Sequence, residues 1–365
     1  MTDRLLNVRS ELENEKLDGL LVTNASNRRY LSGFTGSAGT LLIGRDDAII
    51  ATDFRYHEQS AKEASSFRLY KTLGELDVWF RGLLDNRGGA RLGFESGDVS
   101  YAAHRKMIEI IEAMPVAQRP QLVPTVKLVE KLRAIKDADE IALLQAAIDL
   151  GDSVITQTIQ RIEPGWTERQ IAWEIERYLH EQGAEGPSFS TIVAGGAWGA
   201  MPHAHPRARQ VQAGESIVID MGALVNGYCS DLTRTIWLGR PDDRFATIYD
   251  IVLAAQLTAY ETIEPGMTGE QAHMLAQSVI DAAGYGENFG HGLGHGIGMQ
   301  VHEAPRLSKT SKDKLTDGMV FSIEPGIYIE GWGGVRIEDL AILENGRCRF
   351  LSHARKIQFA DPVGY

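Results

Sequence analysis

The feature that most constrains the fold is an internal repeat between long helical segments. EPGWTERQ begins at Glu163 and EPGMTGEQ begins at Glu264, and an isoleucine precedes both copies. A Pro-Gly pair ends one helix and the threonine after it can cap the next, so each copy predicts a break between two helices. Two copies are too few for a solenoid, which needs at least three stacked units. The pattern favours a duplicated half-domain about a pseudo-two-fold axis, with chance similarity between two helix breaks as the alternative.

The N-terminal third shows a different pattern, in which helix and strand signals alternate. DGLLVT, AIIATDFRY and ARLGFE are strand candidates, whereas YAAHRKMIEIIEAM has helical periodicity. This alternation predicts a small α/β domain over residues 1–126. A second, larger domain with long amphipathic helices is predicted over residues 127–365.

Composition excludes several classes of function. The 365 residues carry a net charge of −12, and a nucleic-acid surface needs a basic footprint instead. No apolar run approaches the roughly 20 residues that span a bilayer, and the acidic N-terminus does not resemble a signal peptide. Cys229 and Cys348 are too few for a disulfide framework. We therefore expect a cytoplasmic protein that binds neither nucleic acid nor membrane.

The first candidate site segment is SIVIDMGALVNGYCSDLTRTIWL, in which two apolar runs flank Asn226-Gly227. Asn-Gly is the strongest short-range hairpin signal. A two-residue turn there pairs Asp220 with Thr233 and places Asp231 two residues from Thr233, so both carboxylates share one face. Acids within apolar strands are costly without a positive partner. The alternative is a pair of solvated acids on an outer sheet face.

The second segment, GHGLGHGIGMQVHE, contains His291, His295 and His302. Glycines alternate through it and disfavour a helix by roughly 1 kcal/mol each, so we expect an extended segment. Small residues beside the histidines leave room for a substrate to approach closely. Three histidines within this short stretch favour a functional site over a structural role.

The third segment comprises VFSIEPGIYI and GGVRIEDLAIL. Glu324 interrupts an apolar strand, and Arg336 lies two residues from Glu338, where an arginine can support a ligating carboxylate. Together the three segments offer four carboxylates and one imidazole, which would repel one another without cations. Two divalent cations would neutralise them, and the oxygen-rich ligand set favours manganese, cobalt or similar ions over thiolate-type zinc. No local pattern indicates a serine triad or a catalytic cysteine.

In order and motif context these residues resemble the dinuclear site of the pita-bread metallopeptidases. GHGLGHGIG, VHE, EPGIYI and GGVRIED are similar to the Xaa-Pro dipeptidase and aminopeptidase P branch, and RYLSGFTGSAG and TDFRY extend the similarity to the N-terminal domain. The resemblance covers nearly the whole chain. It implies an α+β protein with a C-terminal pita-bread domain, of duplicated helix and strand halves around an antiparallel sheet. A smaller N-terminal α/β creatinase-like domain precedes it.

The resemblance also implies roles for five metal ligands. Asp220 would chelate one ion, Asp231 and Glu338 would bridge two, and His295 and Glu324 would complete the second ion's coordination. Glu324 would also be the proton shuttle. The cofactors implied are two divalent ions, with Mn²⁺ favoured and Co²⁺ or Zn²⁺ as alternatives.

Substrate contacts follow from the same resemblance. His291 and His302 would contact the substrate and stabilise the intermediate, His203 would bind substrate with His205 as the weaker alternative, and Arg336 would orient Glu338. The partner implied is a small peptide with proline in second position, and the assembly implied is a homodimer.

Several alternatives stay open from the sequence. They are a methionine aminopeptidase, a creatinase-like hydrolase without metals, and an inactive pita-bread module that binds peptides or proteins. Size and similarity favour a dipeptidase over an aminopeptidase P. Arg28, Arg29 and Arg55 are candidates for holding a dipeptide's carboxylate, with surface or structural pairing as the alternative. Tyr228 could line the pocket or serve packing.

Overall fold

The structure is a computed structural model that describes residues 2–357. Residues 358–365 of the predicted second domain lie outside the described residues. The chain divides into two compact units between Arg133 and Ala134, whereas the sequence pattern gave a boundary at 126/127. The helix between these positions contributes to the first unit, because Arg133 Nη1 donates a 2.6 Å hydrogen bond to Asn27 Oδ1.

The first unit is a six-stranded sheet with helices. Its helices are α1 (Thr2–Asn14), α2 (Ala25–Ser32), α3 (His57–Glu63), α4 (Leu76–Leu83), α5 (Tyr101–Glu112) and α6 (Leu128–Ala134). Its strands are β1 (Gly19–Val22), β2 (Thr40–Gly44), β3 (Ala48–Thr52), β4 (Arg68–Lys71), β5 (Arg91–Glu95) and β6 (Gln121–Thr125). The strand order is β4-β3-β2-β1-β5-β6, and its parallel pairs β1/β5, β5/β6 and β3/β4 agree with the predicted alternation.

Over its described residues, the second unit contains four long helices and several antiparallel sheets. Its helices are α7 (Ala138–Ile159), α8 (Glu168–Glu181), α9 (Asp243–Thr262) and α10 (Gly269–Ala282). The strands before α9 are β7 (Gly186–Pro187), β8 (Ile192–Gly195), β9 (Ser216–Met221), β10 (Ala223–Val225), β11 (Tyr228–Cys229) and β12 (Leu232–Trp237). Those after α10 are β13 (Gly294–Gly296), β14 (Glu303–Leu307), β15 (Val320–Ile323), β16 (Gly326–Ile329), β17 (Gly333–Arg336), β18 (Asp339–Glu344) and β19 (Arg347–Phe350).

These strands form two principal sheets and two small ones. The principal orders are β12-β9-β8 and β14-β13-β15-β18-β19, and the small sheets are β11-β10-β7 and β16-β17. The central strands are buried over their whole length, as in β9, β12 and β15. No helix within residues 2–357 is both long enough and apolar enough to cross a membrane.

The repeated sequence forms the same helix start twice. Thr167 caps α8 and Thr268 caps α10, and each threonine side chain accepts a hydrogen bond from the backbone of the glutamine three residues on. The side-chain oxygens of those glutamines, Gln170 and Gln271, accept a hydrogen bond from the threonine amide in turn. Both copies therefore form a complete capping box, which satisfies helix N–H groups that have no partner within the helix.

The turn before each cap is also repeated. Gly165 and Gly266 adopt positive φ angles of 100° and 93°, a conformation that glycine tolerates best. The Gly165 amide donates to Val211 O at 3.0 Å, and the Gly266 amide donates to Leu315 O at 2.8 Å. Each turn is thus held by the strand-like segment of its own half, as expected for duplicated halves.

Candidate metal centre

The hairpin over β9 to β12 positions the first two acids. Asn226 and Gly227 adopt positive φ angles of 49° and 76°, as a two-residue hairpin turn of type I′ requires. Asp220 pairs with Thr233, which confirms the predicted register. Asp231 lies just before β12, outside the regular ladder. Asp220 and Asp231 are only 9% and 6% exposed, so the alternative of solvated acids on an outer face is wrong.

His295 lies on β13, so the predicted extended backbone is present over Gly294–Gly296, whereas the residues from 298 to 302 form bends. Its Nδ1 lies 3.1 Å from Gly296 O and donates to it, so Nε2 of the neutral imidazole is unprotonated and its lone pair is available. Nε2 lies 3.4 Å from Glu324 Oε1 and 3.6 Å from Asp231 Oδ2. A neutral imidazole that presents Nε2 to carboxylates has the form of a metal ligand.

Glu338 completes the cluster from the turn between β17 and β18. Its amide donates to Thr233 O at 3.1 Å, and Thr233 Oγ1 donates to Glu338 Oε2 at 2.7 Å. One ligand atom each of Asp231, His295 and Glu338 lies within 4.8 Å of the other two. This grouping is compact enough for a single cation to contact all three side chains.

Burial dominates the electrostatics of these groups. It raises the pKa of Asp231 and of Glu338 well above the usual carboxyl range, and neighbouring carboxylates add to both shifts. Burial likewise raises the pKa of Glu324 to about 7, with the positive charge of Arg336 acting against it. Burial lowers the pKa of His295 and keeps the imidazole neutral. Protons or metal ions must therefore compensate these acids at neutral pH.

Two carboxylate oxygens indicate whether protons or metal ions compensate the negative charge of these acids. Asp220 Oδ1 and Glu338 Oε1 are buried and have no hydrogen-bond partner within the described part of the chain. Buried carboxylate oxygens are normally satisfied, and oxygen atoms without donors are suited to divalent cations such as manganese or magnesium. The donor set of four carboxylates and one neutral imidazole therefore fits divalent metal ions.

Arg336 supports the cluster differently from the prediction. Its Nη2 forms an ion pair with Asp220 Oδ2, while its Nε donates to Thr233 Oγ1 at 3.0 Å. The Thr233 hydroxyl in turn donates its hydrogen bond to Glu338. Arg336 thus contacts Asp220 directly and reaches Glu338 only through the threonine hydroxyl.

Tyr328 is a residue of the site that sequence reasoning missed. Arg336 Nη1 donates to its hydroxyl at 3.0 Å, and that hydroxyl donates to His291 Nε2 at 2.9 Å. His291 Nδ1 in turn donates to Gly292 O at 2.8 Å. Burial lowers the pKa of His291 to about 4 and raises that of Tyr328 to about 12, so both rings are neutral. The signal in the sequence is EPGIYI itself, whose tyrosine follows the predicted ligand Glu324 by four residues.

The other histidines predicted to contact substrate, His203, His205 and His302, all have exposed side chains. The ring of His302 stands edge-on to that of His295 with centroids 4.3 Å apart, and burial lowers the pKa of His302. His203 lies on an exposed loop, next to Pro202, whose carbonyl accepts from Arg336 Nη1 at 3.2 Å. The backbone carbonyl of His205 accepts from the indole of Trp198 at 3.1 Å, and the His205 side chain is exposed. His302 therefore lies against the candidate ligand His295, and His203 lies close enough to Glu324 to lower the pKa of that carboxyl group.

Other candidates have structural partners. Tyr228 is buried and donates to Glu140 Oε1 at 3.0 Å, which favours its packing role. Arg28 is buried, and its guanidinium donates to three backbone carbonyls of the first unit, those of Thr23, Gly36 and Gly39. Arg55 pairs with Asp53 on an exposed surface. These contacts agree with the structural alternative for both arginines.

Two family models match the chain. The model for metallopeptidase family M24 matches residues 142–345, and the model for the creatinase/prolidase N-terminal domain matches residues 4–135. The five candidate ligands all lie within the first of these matches.

Known proteins are similar over nearly the full length. The uncharacterized peptidase YqhT of Bacillus subtilis (strain 168) is 41% identical over 93% of this chain and 95% of its own. The solved structure of the Xaa-Pro dipeptidase from Bacillus anthracis is 38% identical, with a TM-score of 0.92 and coverage of 98% of both chains. That of the X-Pro aminopeptidase from Thermotoga maritima MSB8 is 32% identical, with a TM-score of 0.88 and coverage of 96% and 98%.

Proposed function

This chain belongs to metallopeptidase family M24, and from that premise we propose that it is a metal-dependent dipeptidase that cleaves Xaa-Pro substrates. The predicted family and fold class are confirmed, including the creatinase-type N-terminal domain. The substrate is a small peptide with proline in second position, bound by its free amino end.

The proposal depends on one observation above the others, the two buried carboxylate oxygens without donors. Asp220 Oδ1 and Glu338 Oε1 belong to residues that converge with Asp231, His295 and Glu324. We assign these five residues as ligands of two divalent ions, with manganese favoured by the oxygen-rich set over cobalt and zinc. When bound, such ions polarise a carbonyl oxygen and lower the pKa of a water molecule.

The chain's own residues supply proton transfer and orientation. We assign proton transfer to Glu324, whose Oε1 lies 3.4 Å from His295 Nε2 within the cluster. Ser322 Oγ donates to Glu324 Oε1 at 3.1 Å and so orients the carboxyl group. We assign substrate contact to the exposed side chains of His302, which lies against His295, and of His203, which lies near Glu324. The proline nitrogen carries no hydrogen in the Xaa-Pro bond, and it must receive a proton for that bond to break. Glu324 is the residue that we assign to deliver this proton.

The alternative closest in chemistry is an X-Pro aminopeptidase, which accepts longer peptides. Its Thermotoga representative has nearly the same TM-score as the Bacillus anthracis dipeptidase, so the fold does not separate the two activities. The higher sequence identity to the dipeptidase supports the dipeptidase proposal. An inactive binding module receives no such support, since none of the five ligand types is missing.

A comparison of two substrates tests the proposal. Metal-stripped protein with manganese restored is assayed on an Xaa-Pro dipeptide and on an Xaa-Pro-Yaa tripeptide. Cleavage of the dipeptide alone is the expected result, and tripeptide cleavage would establish the aminopeptidase. No cleavage of either with manganese, cobalt or zinc would leave the binding module as the better reading.

A matched pair of variants tests the ligand assignment. Asp231→Asn should abolish hydrolysis, because it removes one negative charge from the cluster that binds the metal ions. The fold should remain nearly intact. Asp46→Asn, at an exposed position in the other unit, should retain full activity. A fully active Asp231→Asn variant would contradict the metal-site assignment.

We also propose that the protein is a cytoplasmic homodimer. The homodimer is supported by the family resemblance alone, and the reducing compartment by the sequence, in which Cys229 and Cys348 are too few for a disulfide framework. Sedimentation at micromolar concentration would distinguish a dimer from a monomer.

A further inference from the structure

A buried polar cluster lies directly behind the candidate metal centre. Arg234 follows Thr233 on β12, and its side chain lies on the opposite face of the strand. Arg234 Nη2 pairs with Asp339 Oδ1 at 2.6 Å, and the two side chains are only 2% and 1% exposed. Asp339 is the residue after Glu338, so this ion pair adjoins a proposed metal ligand.

The guanidinium of Arg234 also holds the backbone of Glu338. Its Nη1 donates to Glu338 O at 2.6 Å and to Thr233 O at 3.0 Å. Each of these carbonyls belongs to a residue whose side chain takes part in the cluster of acids. A planar, rigid donor fork fixes such carbonyls better than a flexible amine can.

Gln256, on α9, holds the backbone next to Glu324 by hydrogen bonds as well. Its Nε2 donates to Ile323 O at 2.9 Å, to Ile337 O at 3.2 Å and to Asp339 Oδ2 at 3.1 Å. Ile323 and Ile337 immediately precede Glu324 and Glu338. One fully buried amide therefore joins the two backbone segments that present the two glutamates.

The cluster is closed by residues 351–357, which we call the strap. Arg234 donates to Ala354 O at 2.6 Å, and Lys356 Nζ lies 2.6 Å from Asp339 Oδ2. The Ile357 amide donates to Tyr249 OH at 3.0 Å. Asp339 thus receives hydrogen bonds from Arg234, Gln256 and Lys356, which together satisfy its buried carboxylate.

We propose that Arg234, Gln256, Asp339 and Lys356 form a positioning cluster that fixes Glu324 and Glu338 for metal binding, with the strap as its outer closure. Buried ion pairs contribute little net stability, because desolvation offsets their attraction. What this cluster does provide is defined geometry at two ligands, and outer residues of that kind commonly alter metal affinity by 10–100-fold. The inference rests on the proposed metal centre and adds residues that touch neither metal nor substrate.

Gln256→Leu and Gln277→Leu form the central comparison. Both glutamines are buried, both have a side-chain oxygen without a hydrogen-bond partner within the described residues, and both donate to a backbone carbonyl. Gln277 lies on α10 and contacts no residue of the positioning cluster in the bonds described. Calorimetry of manganese binding to metal-free protein should show affinity about tenfold weaker for Gln256→Leu. Gln277→Leu should bind as wild type does.

Lys356→Met and Lys356→Arg provide a second test on a partly exposed side chain, where failure to fold is not expected. Lys356→Met should also weaken manganese binding, and Lys356→Arg should restore it, because the charge beside Asp339 is kept. Hydrogen exchange should report the reverse coupling, with the Ile357 amide better protected once manganese binds.

The outcomes separate two failures. If Gln256→Leu and Lys356→Met bind manganese as wild type does, and only the unfolding temperature of the metal-free protein falls, the cluster is structural and the inference is wrong. If wild-type protein binds none of manganese, cobalt or zinc, the proposed function fails and the inference fails with it.

Discussion

Thr233 forms hydrogen bonds to two functional residues of the site, Arg336 and Glu338. Its hydroxyl accepts from Arg336 Nε and donates to Glu338 Oε2, and its carbonyl accepts from the Glu338 amide. A hydroxyl has only one proton, and Arg336 can only donate, so the proton must point to the glutamate. Thr233 therefore fixes the position of Glu338 Oε2 and makes that oxygen a hydrogen-bond acceptor.

Thr233→Val should weaken manganese binding by about 10–100-fold, because valine keeps the shape but removes the bond that orients Glu338. Calorimetry on the metal-free protein measures the affinity directly. Thr158→Val is the matched control, since Thr158 is buried and its hydroxyl donates only within α7. Equal affinities for the two variants would show that Thr233 does not orient the ligand.

Tyr328→Phe should shift the acid limb of activity to higher pH. The phenol O–H stabilises the neutral form of His291, whose pKa is held at about 4 mainly by burial, so its loss lets that pKa rise. The imidazole then becomes charged at a higher pH than in the wild type. Profiles of kcat/KM against pH check this, with Tyr260→Phe as a control remote from the bonds described. An unchanged acid limb would contradict the role of the phenol.

At this scale, sequence reasoning succeeded where chain connectivity fixes a contact. The Asn226-Gly227 turn determines that Asp220 faces Thr233, because a two-residue hairpin leaves no other register. The partner of Arg336 could not be obtained in that way. Arg336 and Asp220 are 116 positions apart in the chain, and only the packing of separate sheets brings them together.

Between residues and the whole fold, the repeated helix starts show how local sequence specifies an element. Thr167 and Thr268 each begin a helix at the place that the Pro-Gly-x-Thr pattern predicts. The pattern predicted less well where strands approach closely. Asp231 was expected on a regular strand face, but a Cβ atom at Gly222 would lie 1.9 Å from Ser230 O, so the backbones are unusually close just before Asp231. Such a close approach depends on glycine and leaves no periodic signal.

Thr167→Ala and Thr268→Ala should each lower the free energy of unfolding by about 1 kcal/mol, because each removes the side-chain acceptor of a capping box. Chemical denaturation measures both losses. The two values should agree within the usual scatter, since the two caps form the same bonds. Serine at either position keeps the hydroxyl and should restore stability. An alanine variant with an unchanged free energy of unfolding would mean that the cap contributes nothing.

For the molecule as a whole, the candidate metal centre joins both repeated halves of the second unit. Asp220 and Asp231 come from the segment before α9, whereas His295, Glu324 and Glu338 come from the segment after α10. Metal ions bound by all five would therefore link the two halves that the repeated helix starts mark. Binding to the folded state alone would stabilise it by roughly 2.7 kcal/mol at a hundredfold excess over Kd.

The stabilisation by manganese should grow as pH rises from about 5.5 to about 7.5, and the sign follows from Glu324. Its pKa is raised from 4.5 to about 7 in the folded protein without metal, mainly by burial. A carboxyl group with a raised pKa contributes stability below its unfolded pKa, and that contribution is lost as pH rises through the folded pKa. Manganese binds the ionised carboxylate and releases its proton. It therefore offsets the destabilisation caused by the buried negative charge of Glu324, which increases with pH in the metal-free protein.

Thermal unfolding with and without manganese at several pH values measures this linkage. The metal-free protein should lose stability over this range relative to the loaded protein, and the gap between the two melting temperatures should widen. Glu324→Gln removes the titrating group, so its gap should be smaller and should depend less on pH. A gap in the wild-type protein that narrows with rising pH would mean that the acids do not bind the metal in their ionised form.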